Sequence, residues 1–188
     1  MLDVKTRQKY LKELGFYKGE IDGSVGKLTK AAYLALQKKY FKRAEDIDGL
    51  YGNDTDKLLQ NAYRVKKYCK NFKLEEFRCS CGKYCTGYPV ILDTQLLKDI
   101  QLIRNKYGST TITSGIRCST HNRNVGGVSN SRHKSGKALD FRCSASLTES
   151  GRKQIMNYFK KLPGARYTYC NIGGNYPNMG RAVHIDVV

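Results

Sequence analysis

The sequence predicts an α+β chain: an amino-terminal three-helix domain, then a mixed domain whose helices pack on a small, mainly antiparallel sheet. Two observations carry this. An Ile-Asp-Gly-x-x-Gly-x-x-Thr segment occurs twice in the first third of the chain, at residues 21–29 and 47–55, and each copy is followed by apolar residues at helical spacing. Further on, helical stripes alternate with short runs that read as strands. The two halves therefore differ in architecture.

The first helix carries Val4, Leu11 and Leu14 on one side, and Gly15 is placed to end it. In each repeat, Asp-Gly supplies a tight turn and the second Gly a permissive backbone position, while Thr29 and Thr55 sit where a helix would be capped. Ala32, Leu36 and Tyr40 continue the first copy as a helix, and Leu58, Ala62 and Val65 continue the second. Residues 1–66 make a unit at the small end of what folds alone.

Residues 67–72 read as a linker, and 73–188 as the second domain. There, Leu92, Leu96 or Leu97, Ile100 and Ile103 form a helical stripe ending near Tyr107-Gly108. Strands are expected over 110–113, 138–142 and 182–188. Between the last two, residues 148–162 read as a helix, with Ile155, Tyr158 or Phe159, and Leu162 as its apolar side and Pro163-Gly164 as its stop.

Composition narrows the function classes. With 34 Lys and Arg against 16 Asp and Glu, the net charge is +18, which draws the chain toward a polyanion such as nucleic acid, an acidic membrane face or an anionic cell wall. No nucleic-acid motif accompanies that charge, and no apolar stretch is long enough to insert stably in a membrane. The amino terminus lacks the apolar core of a secretory signal, so synthesis in a cytoplasm is expected, with the seven cysteines reduced there. A monomer is expected.

The segment Ser-Asn-Ser-Arg-His-Lys-Ser-Gly-Lys-Ala-Leu-Asp-Phe, residues 129–141, places His133 and Asp140 around a glycine turn in a chain of only three histidines. Catalytic zinc takes three protein ligands from such residue types, and His184, in the apolar run Val183-His184-Ile185-Asp186-Val187, offers a third from a distant segment. On a strand His184 and Asp186 face the same way, which would set a carboxylate beside a metal-bound water. The plainer alternative makes His133 a loop residue, Asp140 a cap and His184 an edge-strand side chain.

The segments Thr113-Ser114-Gly115-Ile116-Arg117-Cys118, His121-Asn122, Val125-Gly126-Gly127, residues 130–140 and Val183-His184-Ile185-Asp186 together resemble the zinc D-alanyl-D-alanine carboxypeptidase family. That family includes L-alanyl-D-glutamate endopeptidases of phage lysins and shares its zinc fold with hedgehog proteins. The resemblance implies Zn2+ held by His133, Asp140 and His184, with Arg117 gripping a peptide carboxylate and Ser131 lining the same pocket. It departs from several branches at Arg181, where they carry a catalytic carboxylate. Asp186 is then the candidate general base, or else the group that holds His184 in its tautomer.

The Leu-Gly-Phe-Tyr-x-Gly-x-Ile-Asp-Gly pattern and its repeat over residues 5–64 resemble the peptidoglycan-binding domain family, whose members bind walls without catalysis. The two resemblances together imply a phage or prophage endolysin acting at the cell wall, with peptidoglycan as partner and anionic wall polymers as further attraction. D-alanyl-D-alanine cleavage leads, L-alanyl-D-glutamate cleavage is the alternative, and an inactive zinc-containing wall-binding module is the rival from another class. The Cys79-x-Cys81-x-x-x-Cys85 cluster could bind a structural zinc with Cys69 or Cys118, but its spacing is not that of a zinc ribbon. Core packing or adventitious disulfides are the favoured reading.

Overall fold

In the computed structural model, which describes residues 1–188, the chain forms six α-helices and one four-stranded sheet. The helices are α1 (Val4–Leu14), α2 (Lys27–Tyr40), α3 (Asn53–Tyr68), α4 (Thr94–Tyr107), α5 (Ser119–Asn124) and α6 (Glu149–Phe159). The strands are β1 (Thr110–Ser114), β2 (Ala138–Cys143), β3 (Ala165–Cys170) and β4 (Val183–Val187). The α+β expectation holds, with the first three helices preceding any strand.

Asp3 caps α1 by accepting from the Thr6 amide, and Gly15 closes the helix in the left-handed conformation. The entries to α2 and α3 correct the capping expectation. Gly26 and Gly52 are the extended N-cap residues, with no side-chain cap. Thr29 and Thr55 lie inside the first turn, where each hydroxyl donates back to the carbonyl of Ser24 or Leu50, at 3.1 Å in both copies.

Each repeat is also held by a buried glutamine from the helix before it. Gln8 Oε1 accepts from the Gly23 amide at 2.8 Å, while its amide group donates to Asp22 Oδ1 at 2.7 Å and to the Ser24 carbonyl at 3.0 Å. Gln37 repeats the arrangement, accepting from Gly49 at 2.7 Å and donating to Asp48 Oδ1 at 2.9 Å and the Leu50 carbonyl at 3.0 Å. The sequence repeat is therefore a repeat of one glutamine-clamped turn.

α3 runs on to Tyr68, and Cys69 and Phe72 just beyond it are buried. Asn61 of α3 donates to the Val90 carbonyl at 2.9 Å and accepts from the Leu92 amide at 2.7 Å. One apolar core of 32 buried residues runs from Leu11 to Val187, so the helical half and the sheet half pack as one body.

The sheet order is β1-β2-β4-β3, antiparallel throughout. Every residue of β4 and all but Arg142 of β2 are buried, because both are central strands and α4 and α6 pack against the sheet. β3 is absent from the sequence expectations. It lies at the sheet edge, and its Ala-Arg-Tyr-Thr-Tyr-Cys sequence leaves Arg166 and Tyr167 exposed, so it lacks the apolar signal of a central strand.

Candidate metal centre

The antiparallel register sets Asp140 of β2 directly opposite His184 of β4, so the two side chains emerge on one face. Ala138 stands opposite Asp186 one pleat away, and its methyl leaves space for that carboxylate. His133 comes from a short 3₁₀ turn, Arg132–Ser135, ended by Gly136. Gly136 has φ 72°, and a Cβ there would lie 2.1 Å from the Ile91 carbonyl oxygen, so the residue must be glycine on both counts.

Three buried donor atoms converge. His184 Nδ1 lies 2.7 Å from Asp140 Oδ1, and His133 Nε2 lies 3.5 Å from the same oxygen. The other nitrogen of each ring is engaged from outside. His133 Nδ1 lies 2.7 Å from the Gly115 carbonyl, which makes it the N–H and leaves Nε2 free to accept. His184 Nε2 lies 3.5 Å from Asp186 Oδ2, and Asp186 in turn accepts from Arg166 at 3.0 and 3.2 Å. Arg117 donates to the second oxygen of Asp140 at 2.9 Å and to Ser114 Oγ at 2.9 Å. Ligand-forming atoms thus point inward while their partners sit behind them, as in metal sites whose outer hydrogen bonds orient the ligands.

The electrostatics follow from this packing. Burial pushes the Asp140 carboxyl up, but the His133 and His184 imidazoles beside it outweigh burial and hold the group well below the ordinary carboxylate range. Burial pushes His184 down, and hydrogen bonds to Asp140 and Asp186 reverse that, leaving it above its usual value. For Asp186, the opposing burial is outweighed by His184 and then Arg166, so it too is lowered. The donor set, two imidazoles and an ionised carboxylate within 4.8 Å of one another, fits a divalent ion of the zinc type.

His133 and His184 of this set, with Asp186, line a cleft of about 760 Å³ that Arg117 and Ser131 also line. His121 lies on α5, outside the cluster. Arg181 is exposed. The cleft also contains residues that sequence reasoning missed: Arg166, Tyr167 and Tyr169 of β3, with Tyr169 stacked on His184 at 4.5 Å between ring centroids. Alternation alone would put only Tyr167 and Tyr169 on one face; a register shift between Ala165 and Tyr167 brings the adjacent Arg166 to the cleft as well, and no sequence signal marks that irregularity.

Comparison with known proteins agrees with this geometry. The spore cortex-lytic enzyme of Oceanobacillus iheyensis is 43% identical over 67 residues, covering 35% of this chain and 23% of that protein. The zinc D-Ala-D-Ala carboxypeptidase of Streptomyces albus G is 35% identical over 127 residues, covering 64% of this chain and 49% of that protein. The chain thus spans about half the length, or less, of these curated relatives. Residues 2–41 match the peptidoglycan binding domain family, and residues 70–186, more than half of the chain and including the whole His133, Asp140 and His184 cluster, match Peptidase M15. With the convergent ligand geometry and this match together, the chain belongs to the Peptidase M15 family.

Proposed function

We propose that the chain is a zinc peptidase of peptidoglycan stem peptides, in which residues 1–66 hold the wall, 67–72 connect, and 73–188 cut. The observation that carries this reading is the convergence of His133 Nε2, Asp140 Oδ1 and His184 Nδ1 beside an open cleft. When bound by these three groups, zinc supplies Lewis acidity toward a carbonyl and a nucleophile at neutral pH. The protein's own residues do the rest.

Arg117, Arg132 and Arg166 give the cleft positive charge, which suits the carboxylates of stem peptides. Arg117 is the substrate-carboxylate residue in this reading, anchored through Ser114 and Asp140 so that its guanidinium loses little freedom on binding. Ser131 and Asn130 offer hydrogen bonds to a peptide backbone, and Tyr167 with Tyr169 offers a wall for small apolar side chains. A terminal carboxylate recognised by Arg117 favours D-alanyl-D-alanine cleavage over L-alanyl-D-glutamate cleavage, in line with the Streptomyces relative's name. The wall-binding module beside a peptidase and the +18 charge support an endolysin role.

Asp186 is assigned two competing roles. As a positioning residue it keeps His184 with its proton on Nε2 and Nδ1 free, and its place on the side of the ring away from Asp140 supports this. As general base it would have to accept a proton while paired with Arg166. We favour positioning.

The test is digestion of purified peptidoglycan by zinc-loaded wild type and His133→Ala, with mass spectrometry of the products. Fragments that end at one stem-peptide bond and vanish in the variant support the peptidase, and their masses name the bond. No fragments from folded, zinc-loaded wild type on several wall chemotypes would make the chain a binding module instead.

A further inference from the structure

Outside the cleft, four sulfur atoms come together. Cys79, Cys81, Cys85 and Cys118 have their Sγ atoms within 4.8 Å of one another, and all are free thiols. Cys81 and Cys85 approach to 3.4 Å. A tetrahedral centre with zinc–sulfur bonds of about 2.3 Å spaces its sulfurs by roughly 3.8 Å, so contraction onto a central ion needs only side-chain adjustment.

The hydrogen bonds of this cluster differ from those of Cys69 and Cys170. Cys69 donates its thiol to the Leu97 carbonyl at 3.0 Å and Cys170 donates to Met156 Sδ at 3.2 Å, as neutral thiols do. In the cluster the sulfurs receive. The Cys118 amide donates to Cys79 Sγ at 3.3 Å, the Gly87 amide to Cys85 Sγ at 3.4 Å, and the His121 amide to Cys118 Sγ at 3.4 Å. Amides aimed at sulfur stabilise thiolate, the form that binds metal.

We propose that Cys79, Cys81, Cys85 and Cys118 hold a structural zinc ion, separate from the His133, Asp140 and His184 centre. Four protein ligands leave no open position, which is the mark of a structural site. The need for one is local. Between the 3₁₀ turn Leu74–Phe77 and α4, residues 78–93 contain no helix or strand, and loops of that length inside a compact body are uncommon without a stabilising device.

The ion would tie this loop to the start of α5, where Cys118 is the N-cap. The same strip supports the cleft. Ile116 donates its amide to the Phe77 carbonyl at 3.0 Å, and a Cβ on Gly115 would lie 2.2 Å from that oxygen, so the two backbones are in direct contact. Gly115 supplies the carbonyl behind His133, and Arg117 directly precedes Cys118. Arg43, from the amino-terminal half, also reaches this loop through the Lys83 carbonyl at 3.2 Å. The thiolate centre would therefore position two supports of the cleft.

The sequence reading favoured core packing or disulfides for the three clustered cysteines, because their spacing lacks Cys-x-x-Cys pairs. The fourth ligand arrives only through the contact of the loop with α5.

The test counts metal, not activity. Protein purified under reducing conditions and passed over a desalting column is expected to carry about two zinc ions per chain by native mass spectrometry. Cys81→Ser should carry about one, and His184→Ala should also carry about one, lost from the other centre. If the cysteine variant fails to fold, titration of the wild type with an organomercurial answers the same question, since one zinc should leave as four thiols react. Cobalt-loaded His184→Ala should retain sulfur-to-metal charge-transfer absorption. A single zinc that disappears in His184→Ala, or intact protein whose mass is short by two hydrogens for each cysteine pair, would overturn the proposal.

Discussion

The two halves treat their buried polar groups in opposite ways. In the helical half, Gln8 and Gln37 are almost wholly buried, yet each has its oxygen and its amide nitrogen matched by groups of the Asp-Gly turn it clamps. In the sheet half, Asp140 Oδ1 faces two imidazole nitrogens at 2.7 and 3.5 Å, and those nitrogens have no other partner. A polar cluster that is complete in itself makes one rigid turn. One whose donor atoms all point at a common centre is completed by a cation.

The comparison breaks first at the proposed metal ligands. Asp140→Asn and His184→Ala are expected to lower peptidoglycan hydrolysis by about a thousandfold or more, because a ligand and its share of the zinc chemistry are removed together. Fragment release and the zinc held at this centre should fall in parallel. Activity that survives with zinc gone would separate the cluster from catalysis.

A same-sized change in the other half should act on stability alone. Gln37→Leu strands the Gly49 amide and the carboxylate of Asp48 without their clamp, and is expected to cost about 2–4 kcal/mol in denaturant unfolding. Gln8→Leu should cost a comparable amount through Gly23 and Asp22. Zinc per folded chain should stay unchanged in both. A loss of zinc would mean that the turns are coupled to the sheet through the shared core.

Asp186→Asn sharpens the site half. If Asp186 positions His184, the variant should bind zinc about 10–100-fold more weakly while keeping the shape of its pH–rate profile at saturating zinc. If Asp186 is the general base, kcat should collapse at saturating zinc with one limb of the profile lost.

Much of this was legible in sequence for physical reasons. His133, Asp140 and His184 are polar residues in an apolar turn-and-strand setting, and two of them lie on central strands that exclude water, so their residue types stood out. The helices of the amino-terminal half were readable from periodicity. The clamp residues were not, because a glutamine on a helix looks like any exposed polar side chain until the turn folds over it. The threonines misled because glycine, lacking a side-chain acceptor, occupies the N-cap. β3 lacked the apolar run of a buried strand because it lies at the sheet edge, and with it Tyr169 and Arg166 were hidden.

The smallest effect separates the two copies of the clamped turn. Asp22 and Asp48 both titrate below the ordinary carboxylate value. For Asp22 the largest cause is the Gln8 side chain, followed by the Ser24 amide; for Asp48 the Leu50 amide comes first and Gln37 second. A carboxyl lowered in the folded state adds stability that is fully present above its unfolded value of about 3.9 and is lost as pH falls through the folded value. Acid should therefore weaken these turns below about pH 4. Carboxyl carbon NMR titration should show Asp22 moving back toward its ordinary value in Gln8→Leu, by more than Asp48 moves in Gln37→Leu. Equal movement would mean that both carboxylates depend on their glutamines alike, and that the copies differ only in sequence. The expected inequality would show that the second copy can lose its clamp and still hold its aspartate through backbone, while the first depends on its glutamine.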